Sequence, residues 1–432
     1  MTTSIPNRCG APALYLLYLF FLLQLVVPTT FQMYRGVLLA VLVMYGSGIA
    51  LKRWRIVPDI LFLWLFSLLV GISAIFWGYI NGAPGAIRVS TVYFLWPIIY
   101  MLLVGLATPI LVVSLNRTLV WGVAVASGMA LAVFLAALLG QAATVTDWLS
   151  FQGAGVGIYD GYVELTLFNL ATVIYGLPFL VASLFIKFES GGPYRQRWTW
   201  VLLGIVLLVC LVSGRRGFWL VALVSPLIVF GLAVFAGFRL HWGRVGSAAA
   251  LLVAMGAVGV WTAEIDPATV AEQFGNAFSG QYQSSGARFE QWSAMSGAFS
   301  ESPLIGHGLG AVLKSVRRSE QMAWAYELYY GALLFKIGLL GLAIYGLAVF
   351  WIFFAGVRLV RRVPEAAPVV LPLLAGLAAF LLITATNPYL TKFDYLWTIF
   401  LPVAAINAYH HKMPSATSSS STGTPVPSYE SA

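Results

Sequence analysis

Arg215 and Arg216 stand side by side in Ser213-Gly214-Arg215-Arg216-Gly217, a short segment between two long apolar runs. Guanidinium groups grip phosphate oxygens through paired hydrogen bonds, a geometry that lysine cannot reproduce. Gly214 and Gly217 flank the pair and let backbone approach a ligand closely. Two arginines at a membrane edge would suit a lipid-linked phosphate; the plainer reading is a polar turn whose cations meet lipid headgroups. A third arginine, Arg288, shares a stripe with Trp292, Met295 and Phe299 at intervals of three or four residues, one face of a helix. It either aims into a pocket floored by the apolar segments or pairs with Glu290 or Glu301 on a solvated face. Glu327 comes after Trp324 and Tyr326 and before Tyr329 and Tyr330. A carboxylate at a helix entrance gains from the free amides and the dipole, and among aromatic rings it is also placed to take a proton from a hydroxyl.

Between Arg288 and Glu327 runs Pro303-Leu304-Ile305-Gly306-His307-Gly308-Leu309-Gly310. Gly306, Gly308 and Gly310 are by themselves compatible with any flexible turn. His307, one of four histidines, is either a direct participant or an incidental turn residue. Residues 311–325 are expected to form a further short helix carrying Lys314, Arg317 and Arg318. Lys336, inside an apolar run, needs a partner or must snorkel to the membrane edge. Asp160, Glu164 and Asp394 are further acids near the same edge, without a decisive context.

What must position these residues is a bundle of membrane helices. Of 432 residues, 60% are apolar and 9% charged, against about 25% charged in a soluble domain. That leaves too little charge to cover a water-facing surface and excludes an ordinary soluble enzyme, a disordered chain and a nucleic-acid binder, despite the net charge of +9. The expected fold is all-α: a polytopic transmembrane domain over 1–412 with about twelve spans, at 12–29, 33–50, 58–79, 92–112, 118–140, 162–186, 197–212, 217–237, 246–262, 328–352, 367–385 and 392–409. Runs of this length without strand alternation are helices, since lipid admits only helices or closed barrels. The first run is expected to be retained rather than cleaved as a signal peptide. The two cysteines, Cys9 and Cys210, imply no disulfide framework.

Arginine and lysine placement orients the chain. With the N-terminus inside, fourteen Lys and Arg fall on the cytoplasmic side and nine on the outer side. Both termini are then cytoplasmic, and residues 263–327 form a periplasmic loop subdomain with short helices of its own. Residues 413–432, rich in Ser, Thr and Pro, read as a disordered cytoplasmic tail. Arg215 and Arg216 oppose the positive-inside bias, which is what draws attention to them.

These motifs together resemble the O-antigen ligase and polymerase superfamily, bacterial inner-membrane glycosyltransferases that act on undecaprenyl-pyrophosphate-linked glycans. The resemblance covers about Val201–Leu342. It rests on Ser213-Gly214-Arg215-Arg216-Gly217, on Arg288 with Trp292 four residues later, on Pro303 to Gly310, and on Gly338-Leu339-Leu340-Gly341. It implies that Arg216 and Arg288, with Arg215, hold the pyrophosphate, and that no nucleotide, cofactor or essential metal takes part. Ser213, Gly214, Gly217, Trp292, Gly306, His307, Gly308, Gly310 and Tyr330 would support the site. Ligases usually carry a histidine eleven residues before the first glycine of Gly-Leu-Leu-Gly, and this chain has Glu327 there. The resemblance therefore implies a polymerase extending an O-antigen or exopolysaccharide, with Glu327 as base. Its partners would be the lipid-linked donor, a glycan or glycolipid acceptor, the bilayer and a chain-length regulator. A ligase transferring to lipid A-core or another acceptor is the alternative, and a glycolipid flippase or other transporter is an alternative of a different class. Transport predicts charges at several depths and helices broken at the midplane.

Overall fold

The computed structural model describes residues 11–159, 162–188, 196–250, 283–317 and 321–411. The chain is a multi-pass membrane protein built from apolar helices, and the expected count of about twelve spans is corrected. Among the described residues, seven helical segments are long and apolar enough to cross a bilayer: Gln32–Arg53 (α2), Pro58–Ile80 (α3), Ala86–Leu106, Pro109–Leu138 (α6), Arg216–Ala236 (α10), Tyr329–Arg362 (α12) and Pro364–Thr384. Ala86–Leu106 comprises α4 (Ala86–Ser90), a π-helical turn at Thr91–Leu95, and α5 (Trp96–Leu106). The last segment is a short 3₁₀ turn followed by α13 (Ala367–Thr384).

The other expected spans fall short for identifiable reasons. The run at 12–29 yields α1, Ala11–Val26, which stops before Pro28. The run at 162–186 opens as a strand. Gly155–Tyr159 (β1) and Tyr162–Thr166 (β2) form an antiparallel hairpin, Gly155 opposite Thr166, a small two-stranded insertion in a fold that is otherwise all-α among the described residues, as expected. Only Leu170–Phe185 (α8) then remains helical, and nearly every residue of it is buried. A segment enclosed by protein need not be long enough to face lipid on its own. Gln196–Val212 (α9) has 17 residues. The run at 392–409 begins with 3₁₀ turns, leaving Trp397–His410 (α14). The end of the run at 246–262, residues 263–282 of the loop and the tail at 413–432 lie outside the described residues.

The expected boundary near Arg117 also moves. Thr108 caps the start of α6, its hydroxyl accepting from the Leu111 amide at 3.3 Å, and Pro109 occupies the first turn. Arg117 thus lies within a 30-residue helix. The buried centre is formed by α8 and α13 with α6 and α10 around them. The Tyr175 hydroxyl donates to the Leu373 carbonyl at 2.8 Å, tying α8 to α13.

Helix α12 is discontinuous. Gly338 has φ 62°, ψ −171°, a region populated almost exclusively by glycine. Breaking a membrane helix frees carbonyls before the break and amides after it, and each must find a protein partner. The segment 303–308 supplies them. The His307 and Gly308 amides donate to the Phe335 and Lys336 carbonyls at 3.0 and 2.8 Å. The Leu339 and Leu340 amides donate to the Pro303 and Leu304 carbonyls at 2.9 and 3.1 Å. The glycine-rich loop is a plug seated in the break.

Candidate functional site at one end of the bundle

Helix α11, Gln283–Glu301, carries Arg288. Its Nε donates to Glu327 Oε2 at 2.9 Å, and the pair is partly exposed. Neither Glu290 nor Glu301, the alternative partners on the same helix, takes that place. Gln291, one turn along α11 and buried, accepts from the Glu327 amide at 3.0 Å through its side-chain oxygen. Arg288 and Gln291 thus hold Glu327 by side chain and backbone at once, ahead of the first turn of α12. Trp292 and Met295 lie against Gly331: a Cβ there would come within 3.4 Å of the indole and 3.2 Å of the sulfur. Trp292 is otherwise exposed.

The C-terminal end of α13 gathers the remaining pieces. Gly217, in the first turn of α10, packs so closely that a Cβ would lie 2.3 Å from Ile383 Cδ1. The Tyr329 amide donates to the Ala385 carbonyl at 3.2 Å, and the Tyr330 hydroxyl donates to the Leu381 carbonyl at 2.7 Å. Arg216, the first residue of α10, and the Glu327–Tyr330 segment are therefore fixed to the same turns of one helix. The space beside Gly217 is filled by a helix, not left for a ligand, while Gly214, at φ 68°, serves the turn. Ser213 is buried, its hydroxyl donating to the Cys210 carbonyl at 3.0 Å.

Arg215 faces the hairpin. Its Nε donates to the Leu165 carbonyl at 2.8 Å, and a terminal nitrogen lies 3.1 Å from Glu164 Oε1. Its charge also acts on the Tyr389 hydroxyl, whose pKa is raised by burial against the opposing pull of Arg215. Glu164 thus gains the context that its position in the sequence did not supply. Asp394 does too: it pairs with Arg35 at 2.6 Å, both side chains being buried.

Gly306, Gly308 and Gly310 have φ of 69°, 90° and 87°. A Cβ on Gly308 would lie 2.3 Å from Gly78 Cα of α3, and one on Gly310 would lie 2.1 Å from the Ala86 nitrogen. These glycines let the plug pass between α3, α4 and α12. The His307 ring belongs to the same scaffold. Its Nε2 lies 2.7 Å from the Ala298 carbonyl and the ring packs on Phe335, with centroids 4.9 Å apart. The short helix expected at 311–325 does not form over 311–317. There the Leu313 amide is taken by the Tyr326 hydroxyl at 2.6 Å rather than by a helical carbonyl. Lys336 resolves its burial without a carboxylate among the described residues: its ammonium donates to the Trp324 carbonyl at 2.7 Å and sits over the Tyr326 ring.

Below Glu327 opens an apolar groove of about 310 Å³, with Tyr329 and Tyr330 at one end and Ile60 and Ile352 toward the other. Tyr93 and Tyr345 line its wall, their rings stacked with centroids 6.3 Å apart. No spacing in the sequence marked Tyr93 or Tyr345. Gln291 alone had a legible signal, since it lies three residues from Arg288 on the same helical face.

Compared with known proteins, the chain matches no family model and no curated relative.

Proposed function

We propose that this protein is a membrane glycosyltransferase that joins undecaprenyl-pyrophosphate-linked oligosaccharide units into an O-antigen or exopolysaccharide chain, at the periplasmic face of the bacterial inner membrane. The observation that carries the reading is the Arg288–Glu327 pair above an apolar groove. The groove is lined by α12 on both sides of its break, from Tyr329 to Ile352, 24 residues. At about 1.5 Å per residue this is about 35 Å, comparable to a hydrocarbon core of about 30 Å. An isoprenoid tail lying there would bring its pyrophosphate to Arg288, with Arg216 on the neighbouring helix end.

The pair then acts as an exchange. The incoming pyrophosphate takes the Arg288 guanidinium, a two-pronged partner for phosphate, and Glu327 is released beside the acceptor. The acceptor hydroxyl oxygen forms a bond to the anomeric carbon and gives its proton to Glu327. The bond from that carbon to pyrophosphate breaks, and its electron pair leaves on the polyprenyl pyrophosphate. Arg288 and Arg216 neutralise the charge that grows there. Helix α11 and the plug shield the reacting groups from water, which would otherwise consume the donor.

Transfer of a finished glycan to lipid A-core would use the same residues and differs in the acceptor. Transport is favoured by one observation, the break in α12. Its freed carbonyls and amides, however, are bonded by residues 303, 304, 307 and 308. In discontinuous transporter helices such groups face the substrate or ion.

Polymer from a strain lacking the native gene, complemented with Arg216→Ala or Arg288→Ala, tests the proposal. Well-expressed variants should lose the ladder of long chains. Normal ladders from both would remove the arginines from the mechanism, and free lipid-linked polymer accumulating on deletion would reassign the protein as a ligase.

A further inference from the structure

At the other end of the bundle, a second cavity lies between α1, α2, α5 and α6. It measures about 590 Å³, within the range of about 300–1,000 Å³ typical of ligand pockets. Leu17, Phe21, Leu42, Val43, Ile99 and Leu103 give it an apolar wall. Its existence follows from how α2 packs. Of the seven long apolar helices, α2 is the least enclosed by protein, with 6% of its most apolar stretch buried. It is held near one end by Arg35 and Asp394 and leaves a gap against α1 and α5 farther along.

The mouth of this cavity carries Lys52, Arg53 and Arg55. All three side chains are exposed, and none has a hydrogen bond or ion pair among the described residues. The turn that bears them is fixed. The Arg55 amide donates to the Gly105 carbonyl at 3.0 Å, and its carbonyl accepts from Asn407 Nδ2 at 2.9 Å. Buried Asn407 also donates to the Val104 carbonyl and accepts from the Val57 amide, at 2.9 and 3.0 Å. Trp54 packs on Gly105 so tightly that a Cβ there would lie 2.0 Å from the indole nitrogen. Three cations with no side-chain partner among the described residues are therefore held at the rim of an apolar slot, on the side that the positive-inside bias assigns to the cytoplasm.

We infer that this cavity seats one anionic glycerophospholipid of the leaflet at that end, with an acyl chain along Leu42 and Val43 and its phosphate on Lys52, Arg53 and Arg55. Basic pockets between helices on the cytoplasmic side recognise such headgroups. The seat is separate from the groove below Glu327 and does not depend on the transferase reading.

The test uses full-length protein in nanodiscs that contain phosphatidylglycerol and phosphatidylcholine in equal amounts, with retained lipid counted by native mass spectrometry after extraction. Wild type should retain phosphatidylglycerol over phosphatidylcholine at least tenfold. Lys52→Gln/Arg53→Gln/Arg55→Gln should abolish the preference, and Val43→Trp should reduce retention of both lipids by blocking the slot. Equal retention of the two lipids by wild type, or an unchanged preference in the triple variant, would overturn the inference. So would inorganic phosphate displacing the lipid, or an undecaprenyl phosphate outcompeting phosphatidylglycerol. Transfer activity of Val43→Trp, assayed in parallel, reports on the other site alone.

Discussion

Arg288 and Glu327 lie 39 residues apart in sequence and share one hydrogen bond of 2.9 Å. The cation rides on α11 and the carboxylate precedes α12, so the contact exists only while those two elements are docked. Gln291 closes the same junction from the backbone side. A pair of this kind, partly exposed and set over an apolar groove, can open to an anionic ligand and re-form when the ligand leaves.

Arg288→Ala should lower turnover by about 10²-fold or more, the usual cost of removing one donor to a developing negative charge. Arg288→Lys should recover only a small part, because an ammonium cannot make the paired contact. Steady-state assays on a lipid-linked repeat unit would check both.

Arg215 should behave differently from its neighbour. It is tied to Glu164 and Leu165, and a partly exposed ion pair contributes about 0–1 kcal/mol. Arg215→Ala should therefore reduce turnover less than tenfold while increasing amide exchange in the hairpin. A loss matching that of Arg288→Ala would return Arg215 to the pyrophosphate.

Gly338→Ala should destabilise the protein severely. The residue's conformation costs a side chain about 1–3 kcal/mol, and the new Cβ would stand 2.3 Å from the Leu304 carbonyl oxygen. Gly308→Ala meets α3 in the same way. Thermal unfolding in nanodiscs should show both variants well below wild type, and a change of less than a degree would show that the plug is not structural.

Removing one partner of the buried Arg35–Asp394 pair should cost more than removing both. Arg35 also donates to the Val27 and Pro28 carbonyls at the end of α1. Asp394→Leu alone strands a buried cation, a change that costs about 3–5 kcal/mol. Arg35→Met with Asp394→Leu should recover part of that loss, as read from unfolding midpoints.

The sequence made the helical stripe from Arg288 legible, because α11 mixes polar and apolar residues and a period of three to four shows through. The span count was not legible in the same way. Within apolar runs every residue resembles its neighbours, so nothing in 162–186 separated strand from helix; in 92–140 the pair Thr108-Pro109 did mark a helix start, but the charge of Arg117 drew the expected boundary away from it. The glycine motif was visible but its purpose was not. Gly306 and Gly308 serve a break at Gly338, thirty residues on, and only the fold brings those segments together. The partners of Glu164 and Asp394 were hidden for the same reason.

The most direct test of the central claim is single-turnover transfer by purified Glu327→Gln in nanodiscs, with donor binding measured on the same sample. The substitution keeps the shape of the side chain and removes its ability to accept the proton. Donor binding should stay within a few-fold of wild type while the transfer rate falls by about 10²–10⁴-fold, the span of a general base. Transfer at the wild-type rate would contradict that role.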